Sequence, residues 1–282
     1  MNDEKFCGSE KYVLDEELAK IVNISMVLEM PLLLKGEPGT GKTMLAHAIA
    51  SSLEIPLIVL NVKSSMKLVD ALYQYDTLTR LNDSRFEDST RDVSNIKEYI
   101  KMGKIGQAFT SSSRCVLLID EIDKADTDFQ DDMLDVLDQM QFDIIEIDEV
   151  VTAQTRPIII ITSNAKKDLS DPFLGRCNFH HIAFPDPKLM RKIIGEHFPD
   201  INDKLARAVI ETFYELRNLG GIEKKPATRE LINWIRALMA DPDFKKGTLL
   251  KNEIPYLGVL FKKTGDYQRS SQTVMKREFF RK

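Results

Sequence analysis

Apolar residues in this chain form two kinds of run, short unbroken stretches and longer ones spaced at helical intervals, and the two kinds alternate through the first two thirds of the sequence. Leu18, Ile21, Val22, Met26, Val27 and Leu28 recur at helical spacing within Asp15–Glu29, which predicts a helix packed beside the first strand, with Asp15 as its N-cap. Met30–Lys35 (MPLLLK) has the short apolar form of a buried parallel strand, and Met44–Leu53 returns to helical spacing. Pro56–Asn61, Arg114–Asp120 and Arg156–Thr162 are further β-branched or aliphatic runs, and Phe142–Asp148 alternates as a hairpin strand would. Strand, helix, strand in this order predicts a parallel sheet covered by helices. Residues 64–110 break the pattern with polar clusters such as Asn82–Arg85 and Glu87–Arg91, and read as an inserted, mobile segment. From Asp186 onward the strand-like runs stop. Leu189–Phe198, Lys204–Leu219 and Thr228–Met239 all have helical spacing, so a small all-helical domain is expected after the Pro185-Asp186-Pro187 junction. Trp234 shares a side with Leu231 and Leu238, as a core residue would.

Between the first strand and the second helix stands Gly36–Thr43, GEPGTGKT, which fits the phosphate-loop pattern G-x-x-x-x-G-K-[ST]. Glycines let such a loop curl so that successive backbone N–H groups face anionic oxygens, and the helix that follows adds its unsatisfied N–H groups and positive dipole end. Gly36, Pro38, Gly39, Thr40, Gly41, Lys42, Thr43 and the adjoining Met44 are therefore candidate nucleotide contacts. Lys42 supplies a point charge for the terminal phosphates, and the Thr43 hydroxyl is a magnesium ligand.

The run Arg114–Asp120 ends in paired acids, Asp120 and Glu121, at the carboxyl end of a central strand, where ligands bind in open α/β sheets. Asp120 is the second candidate magnesium ligand, and Glu121 is placed to polarise an attacking water by accepting its proton. Asn164 ends a neighbouring strand at the same sheet edge, where its amide can orient water or contact a phosphate. The acids that follow, Asp126, Asp128, Asp131, Asp132, Asp135 and Asp138, lack the spacing and glycine of a calcium loop, and read as a solvated or subunit-facing helix face. A guanine-reading N-K-x-D motif is also absent, since Asn164-Ala-Lys-Lys-Asp168 has those letters at the wrong spacing, so ATP is favoured over GTP.

Composition narrows the field only modestly. A net charge of −5 argues against nucleic-acid binding over the whole surface. Cys7, Cys115 and Cys177 are too scattered for a disulfide framework or a C-x-x-C zinc site, which suits a reducing compartment. With a polar N-terminus and no apolar run of membrane-spanning length, a cytoplasmic protein is expected.

These residues together resemble an AAA+ ATPase of the MoxR-like branch. GEPGTGKT is similar to Walker A, Val116–Ala125 (VLLIDEIDKA) to Walker B with its following residues, and Thr162-Ser163-Asn164 to the sensor 1 strand. Leu174-Gly175-Arg176-Cys177 with Phe179–Pro185 resembles the segment preceding the lid, and Lys225–Trp234 resembles the sensor 2 helix. The resemblance implies a phosphate-loop αβα sandwich over residues 1–185 with an insert at about 64–110. A helical lid over 186–263 and a basic tail over 264–282 would follow. It implies ATP and Mg2+ as cofactors and a homo-oligomeric ring, usually of six subunits, with ATP between neighbours. Arg176 is then the matching position for a finger reaching a neighbour's γ-phosphate, although Gly175 stands where relatives commonly carry a second arginine. Arg229 matches sensor 2. The implied function is remodelling or maturation of a client protein, sometimes by metal or cofactor insertion and often with a von Willebrand A domain partner. A nucleotide-dependent scaffold or a DNA-associated ATPase is the alternative. Tyr73 and Tyr75 either grip the client or pack the insert onto the core.

Overall fold

The computed structural model describes residues 5–8, 12, 15–85, 91–164, 167–241 and 254–279. In chain order the elements are α1 (Glu16–Leu28), β1 (Leu32–Lys35), α2 (Lys42–Ser52), β2 (Leu57–Asn61), α3 (Leu68–Leu72), β3 (Tyr73–Tyr75), α4 (Thr77–Asp83), β4 (Ile100–Met102), α5 (Lys104–Phe109) and β5 (Val116–Asp120). They continue with α6 (Thr127–Gln139), β6 (Gln141–Ile144), β7 (Glu149–Thr152), β8 (Ile158–Ser163), α7 (Asp171–Gly175), β9 (Asn178–His181), α8 (Pro187–His197), α9 (Asp203–Arg217), α10 (Thr228–Ala240), α11 (Leu257–Leu260) and α12 (Thr264–Phe279). The chain divides into two compact units, one running to Ile182 and the other from Ala183 onward, with Pro38–Thr40 grouped with the second.

The first unit is built on a five-stranded sheet of order β2-β5-β8-β1-β9, and every pairing in it is parallel. Its central strands read as unbroken aliphatic runs because both faces are covered. Alternate residues separate onto two cores, as the two-residue period of a strand requires. Leu33, Leu117, Ile119, Ile159 and Ile161 join one, with α6 residues Phe129, Met133, Leu134 and Leu137. Leu32, Leu34, Val116, Leu118, Ile158 and Ile160 join the other, with Leu18 and Val22 of α1 and Leu45 and Ile49 of α2. The expected αβα sandwich with a parallel sheet is thus present, and further helices follow it. Among those, Trp234 lies in the core of the second unit with Leu231 and Leu238, and its indole N–H donates to the Pro255 carbonyl at 2.8 Å.

Three expectations need correction. Residues 64–110 are not a loose insert where they are described. Ala71, Leu72, Tyr73, Ile105, Ala108 and Phe109 are buried in the same cluster as β5 and α6. The glycines of this stretch make that possible, because a Cβ on Gly103 would lie 2.4 Å from the Ala71 carbonyl oxygen and one on Gly106 2.2 Å from that of Leu72. They let α5 close on the backbone at the end of α3. Part of the Glu87–Arg91 polar cluster lies outside the described residues.

The second correction concerns α1, whose buried face carries Leu18, Val22 and Met26, while Ile24, Val27 and Leu28 are exposed, Val27 at 77%. Those three sit beyond the arc that a helix can turn toward a single sheet.

The third concerns the basic tail expected over 264–282, which from Thr264 to Phe279 forms α12. Asp266 and Ser270, one turn apart, are buried, and the Asp266 carboxylate accepts from the backbone N–H groups of Glu223 at 2.9 Å and Lys224 at 3.0 Å. Arg269 donates to the Gly221 carbonyl. Polar contacts fasten this helix, so no apolar stripe announced it. The side chains of Lys276, Arg277, Arg281 and Lys282, part of the predicted basic tail, lie outside the described ones. No helix among the described residues is long and apolar enough to cross a membrane.

Candidate active site

Three adjacent strands, β1, β8 and β5, end at one edge of the sheet, and each delivers part of the candidate site there. After β1 the backbone turns through Gly39 (φ 80°) and Gly41 (φ 93°), left-handed conformations that glycine adopts without steric cost. The Gly36 N–H donates to the Ser163 carbonyl at 3.4 Å, which ties the start of this loop to the end of β8. α2 opens at Lys42, so its first N–H groups belong to the loop. Lys42 is only 6% exposed, and its ammonium donates to the carbonyls of Gly36 at 2.8 Å and Glu37 at 2.9 Å. Burial pushes its pKa below the usual lysine value, while the carboxylates of Asp120, Asp123, Glu121 and Glu37 act in the opposite sense. A lysine tied to carbonyl oxygens inside a curled glycine loop carries the charge and the backbone geometry that a polyphosphate needs.

Thr43 and Asp120 stand 77 residues apart in sequence and meet directly, the Thr43 hydroxyl donating to Asp120 Oδ1 at 3.0 Å. The same oxygen accepts from the Thr162 hydroxyl at 2.6 Å. Thr162 in turn accepts from the Glu121 N–H at 2.9 Å, so one hydroxyl on β8 aligns both acids at the end of β5. Glu121 itself adopts φ 61° and ψ 49°, a left-handed conformation that Glu29 and Glu54 also take elsewhere in the chain. Its Oε1 accepts from the Asn164 amide Nδ2 at 3.0 Å, and its Oε2 pairs with the Lys124 ammonium. The Asn164 N–H donates to the buried Asp123 carboxylate at 3.1 Å. A hydroxyl and a carboxylate side by side next to the loop are hard oxygen donors, which fits a magnesium ion held by one or two protein groups and by phosphate.

The structure therefore brings Gly36, Gly41, Lys42, Thr43, Asp120, Glu121 and Asn164 to one sheet edge. Thr40 is buried, whereas Pro38, Gly39 and Met44 are exposed. Arg176 is not part of this group. It ends α7, its Nε reaches Asp138 at 2.6 Å and its Nη2 lies 3.8 Å from Asp135. Arg229 is exposed in the first turn of α10, in the second unit. Sequence reasoning left Thr162, Asp123, Lys124 and Tyr12 without roles. The first three lie inside the quoted strand and acid motifs, so their neighbours were the available signal. Tyr12 had none: a Cβ on Gly41 would meet its ring at 3.4 Å, and burial pushes its phenol up to about 12.

Comparison with known proteins agrees with this geometry. The profile described as "ATPase family associated with various cellular activities (AAA)" matches residues 32–185, more than half of the chain. A Lon protease of Mycoplasma mobile is 30% identical over 158 residues, covering 51% of this chain and 16% of that protein. The 26S proteasome regulatory subunit 10B of Dictyostelium discoideum is 28% identical over 141 residues, covering 46% of this chain and 30% of that one. The chain thus corresponds to less than a third of either relative's length. Among solved structures, a point mutant of Thermotoga maritima RuvB superposes with a TM-score of 0.54 at 18% identity, over 93% of this chain and 71% of that one. The Thermotoga maritima RuvB Holliday junction branch migration motor gives 0.52 at 17% identity, over 96% and 73%. At these identities the likeness is one of fold. With the profile match, the phosphate loop and the Thr43–Asp120 pair in place, the chain belongs to the AAA family of ATPases, enzymes that hydrolyse ATP with Mg2+.

Proposed function

We propose that the chain works as one subunit of a ring-forming ATPase of the MoxR-like branch, converting ATP hydrolysis into remodelling or maturation of a client protein. The observation that carries the catalytic part is the linked set Thr43, Asp120, Thr162, Glu121 and Asn164, in which side chains from α2, β5 and β8 converge. In this reading the loop residues Gly36–Met44 hold the nucleotide, with Lys42 on its terminal phosphates. Thr43 and Asp120 would hold Mg2+, which supplies positive charge against the phosphate oxygens. Glu121 accepts the proton of the attacking water, and Asn164 orients Glu121 through its amide. Arg176 acts on a neighbouring subunit's site and Arg229 on its own. The MoxR-like assignment rests on the resemblance of Leu174–Cys177, Phe179–Pro185 and Lys225–Trp234, and with it come the hexameric ring, the client and a von Willebrand A domain partner. Residues 1–185 are the ATPase core in this reading, and 186–263 are the lid whose angle to it changes with nucleotide. The acidic net charge supports a protein client over DNA. ATPase turnover measured against protein concentration, with and without duplex DNA, tests this. Specific activity should climb as subunits assemble and should not respond to DNA; stimulation by DNA would favour a DNA-associated motor.

A further inference from the structure

Both carboxylate oxygens of Glu121 are engaged, and the two donors differ in kind. Asn164 gives Oε1 a neutral amide hydrogen bond, whereas Lys124 gives Oε2 a full positive charge. Lys124 closes the short 3-10 turn Ile122–Lys124, and the left-handed backbone of Glu121 caps that turn at its other end, three residues away. The pair therefore follows from the strained turn that also presents Glu121 at the sheet edge. Asp120 and Asp123 add to the negative field around this ammonium, and Glu121 beside it holds its pKa above the usual lysine value, so it remains charged.

We propose that Lys124 is a brake on hydrolysis: it competes with the attacking water for the Glu121 carboxylate, and turnover proceeds when it lets go. A carboxylate polarises water by taking on its proton, and an ammonium on the same group draws off the negative charge that does so. The ammonium also biases the side chain toward its own position. The Asn164 amide has no net charge and can steer Glu121 without that penalty. Lys124 is 42% exposed and Glu121 35%, so water competes for both partners and the pair is exchangeable. The brake is accordingly weak, and its release should be worth about two- to fivefold in turnover. Lys124 is a positioning residue, acting through Glu121.

This inference rests on the reading of Glu121 as the water-polarising residue, and the experiment separates the two. Steady-state ATPase is measured for the full chain at saturating protein concentration in the wild type, Lys124→Met, Lys124→Arg and Glu121→Gln, after melting curves confirm folding. Lys124→Met should raise kcat about two- to fivefold with the KM for ATP unchanged, and Lys124→Arg, which keeps the charge, should stay near wild type. An unchanged or lower kcat in folded Lys124→Met overturns the brake, as does an equal rise in Lys124→Met and Lys124→Arg. A Glu121→Gln variant that turns over normally removes the reading of Glu121 and the brake with it. If Glu121→Gln is inactive while Lys124→Met is flat, only the brake fails.

Discussion

At the scale of single residues, Lys42 and Glu121 lie in one site but act on different things, one on phosphate charge and one on water. Lys42→Ala removes a charge-assisted contact of about 1.5–3 kcal/mol, so calorimetric ATP affinity should fall roughly 10- to 100-fold. Glu121→Gln keeps shape and hydrogen bonding but lowers basicity, so affinity should hold while kcat falls at least about 100-fold. Equal loss of affinity in both would contradict the assignment. Tyr73 and Tyr75, paired in the sequence as candidate grips, separate in the structure. Tyr73 is 3% exposed, stacks on Phe142 and accepts the Ile145 N–H at 3.2 Å, which leaves it unable to hold a client. Tyr75 is half-buried and accepts from Arg80 at 2.7 Å. Tyr73→Ala should cost about 3–5 kcal/mol in urea denaturation, and Tyr75→Ala no more than about 1 kcal/mol.

At the scale of elements, α12 shows how a helix without an apolar stripe is held in place. The Glu223 and Lys224 N–H groups beside Asp266 hold its carboxyl below the usual aspartate value. Because the folded value is depressed, this contact stabilises above the unfolded pKa of about 3.9 and is lost as pH falls through the lower folded value. Thermal melts from pH 7 to pH 3 should therefore show Asp266→Asn less stable than wild type at neutral pH, with the gap closing below about pH 4. A gap that stays constant with pH would mean that the carboxylate charge is not what anchors α12. Asp126 caps α6 through the Phe129 N–H, while Asp131, Asp135 and Asp138 share one face of the helix, Asp131 accepting from Ser170 and the other two holding Arg176.

At the scale of the whole molecule, Arg176 is the residue whose proposed role a single chain cannot fulfil. It is 41% exposed and engaged with α6, an arrangement from which a surface side chain can leave at small cost. If it serves a neighbour, Arg176→Ala should lose turnover with little loss of ATP affinity, and specific activity should rise with concentration in the wild type. Mixing Arg176→Ala with Lys42→Ala should restore activity above that of either alone, since some interfaces then join an intact site to an intact finger. Absence of complementation together with concentration-independent wild-type turnover would place the complete site within one chain.

The sheet and the nucleotide loop were legible in the sequence because their causes are local. Strands buried on both faces must be aliphatic throughout, and a loop that presents N–H groups to phosphate needs glycine where Gly36, Gly39 and Gly41 stand. Asp120, Glu121 and Asn164 were legible for a related reason, since each stands in the polar residues that end such a strand. What decided the rest was contact between distant segments. Thr162 stands in a legible strand-end motif, but only the fold shows its hydroxyl joining Asp120 to the Glu121 N–H across 42 residues of chain. Gly103 and Gly106 are required only because α3 packs its backbone against them. Residues 264–279 are polar because their anchor is a buried carboxylate reaching the backbone of residues 223 and 224, and hydrophobic periodicity carries no record of such a contact.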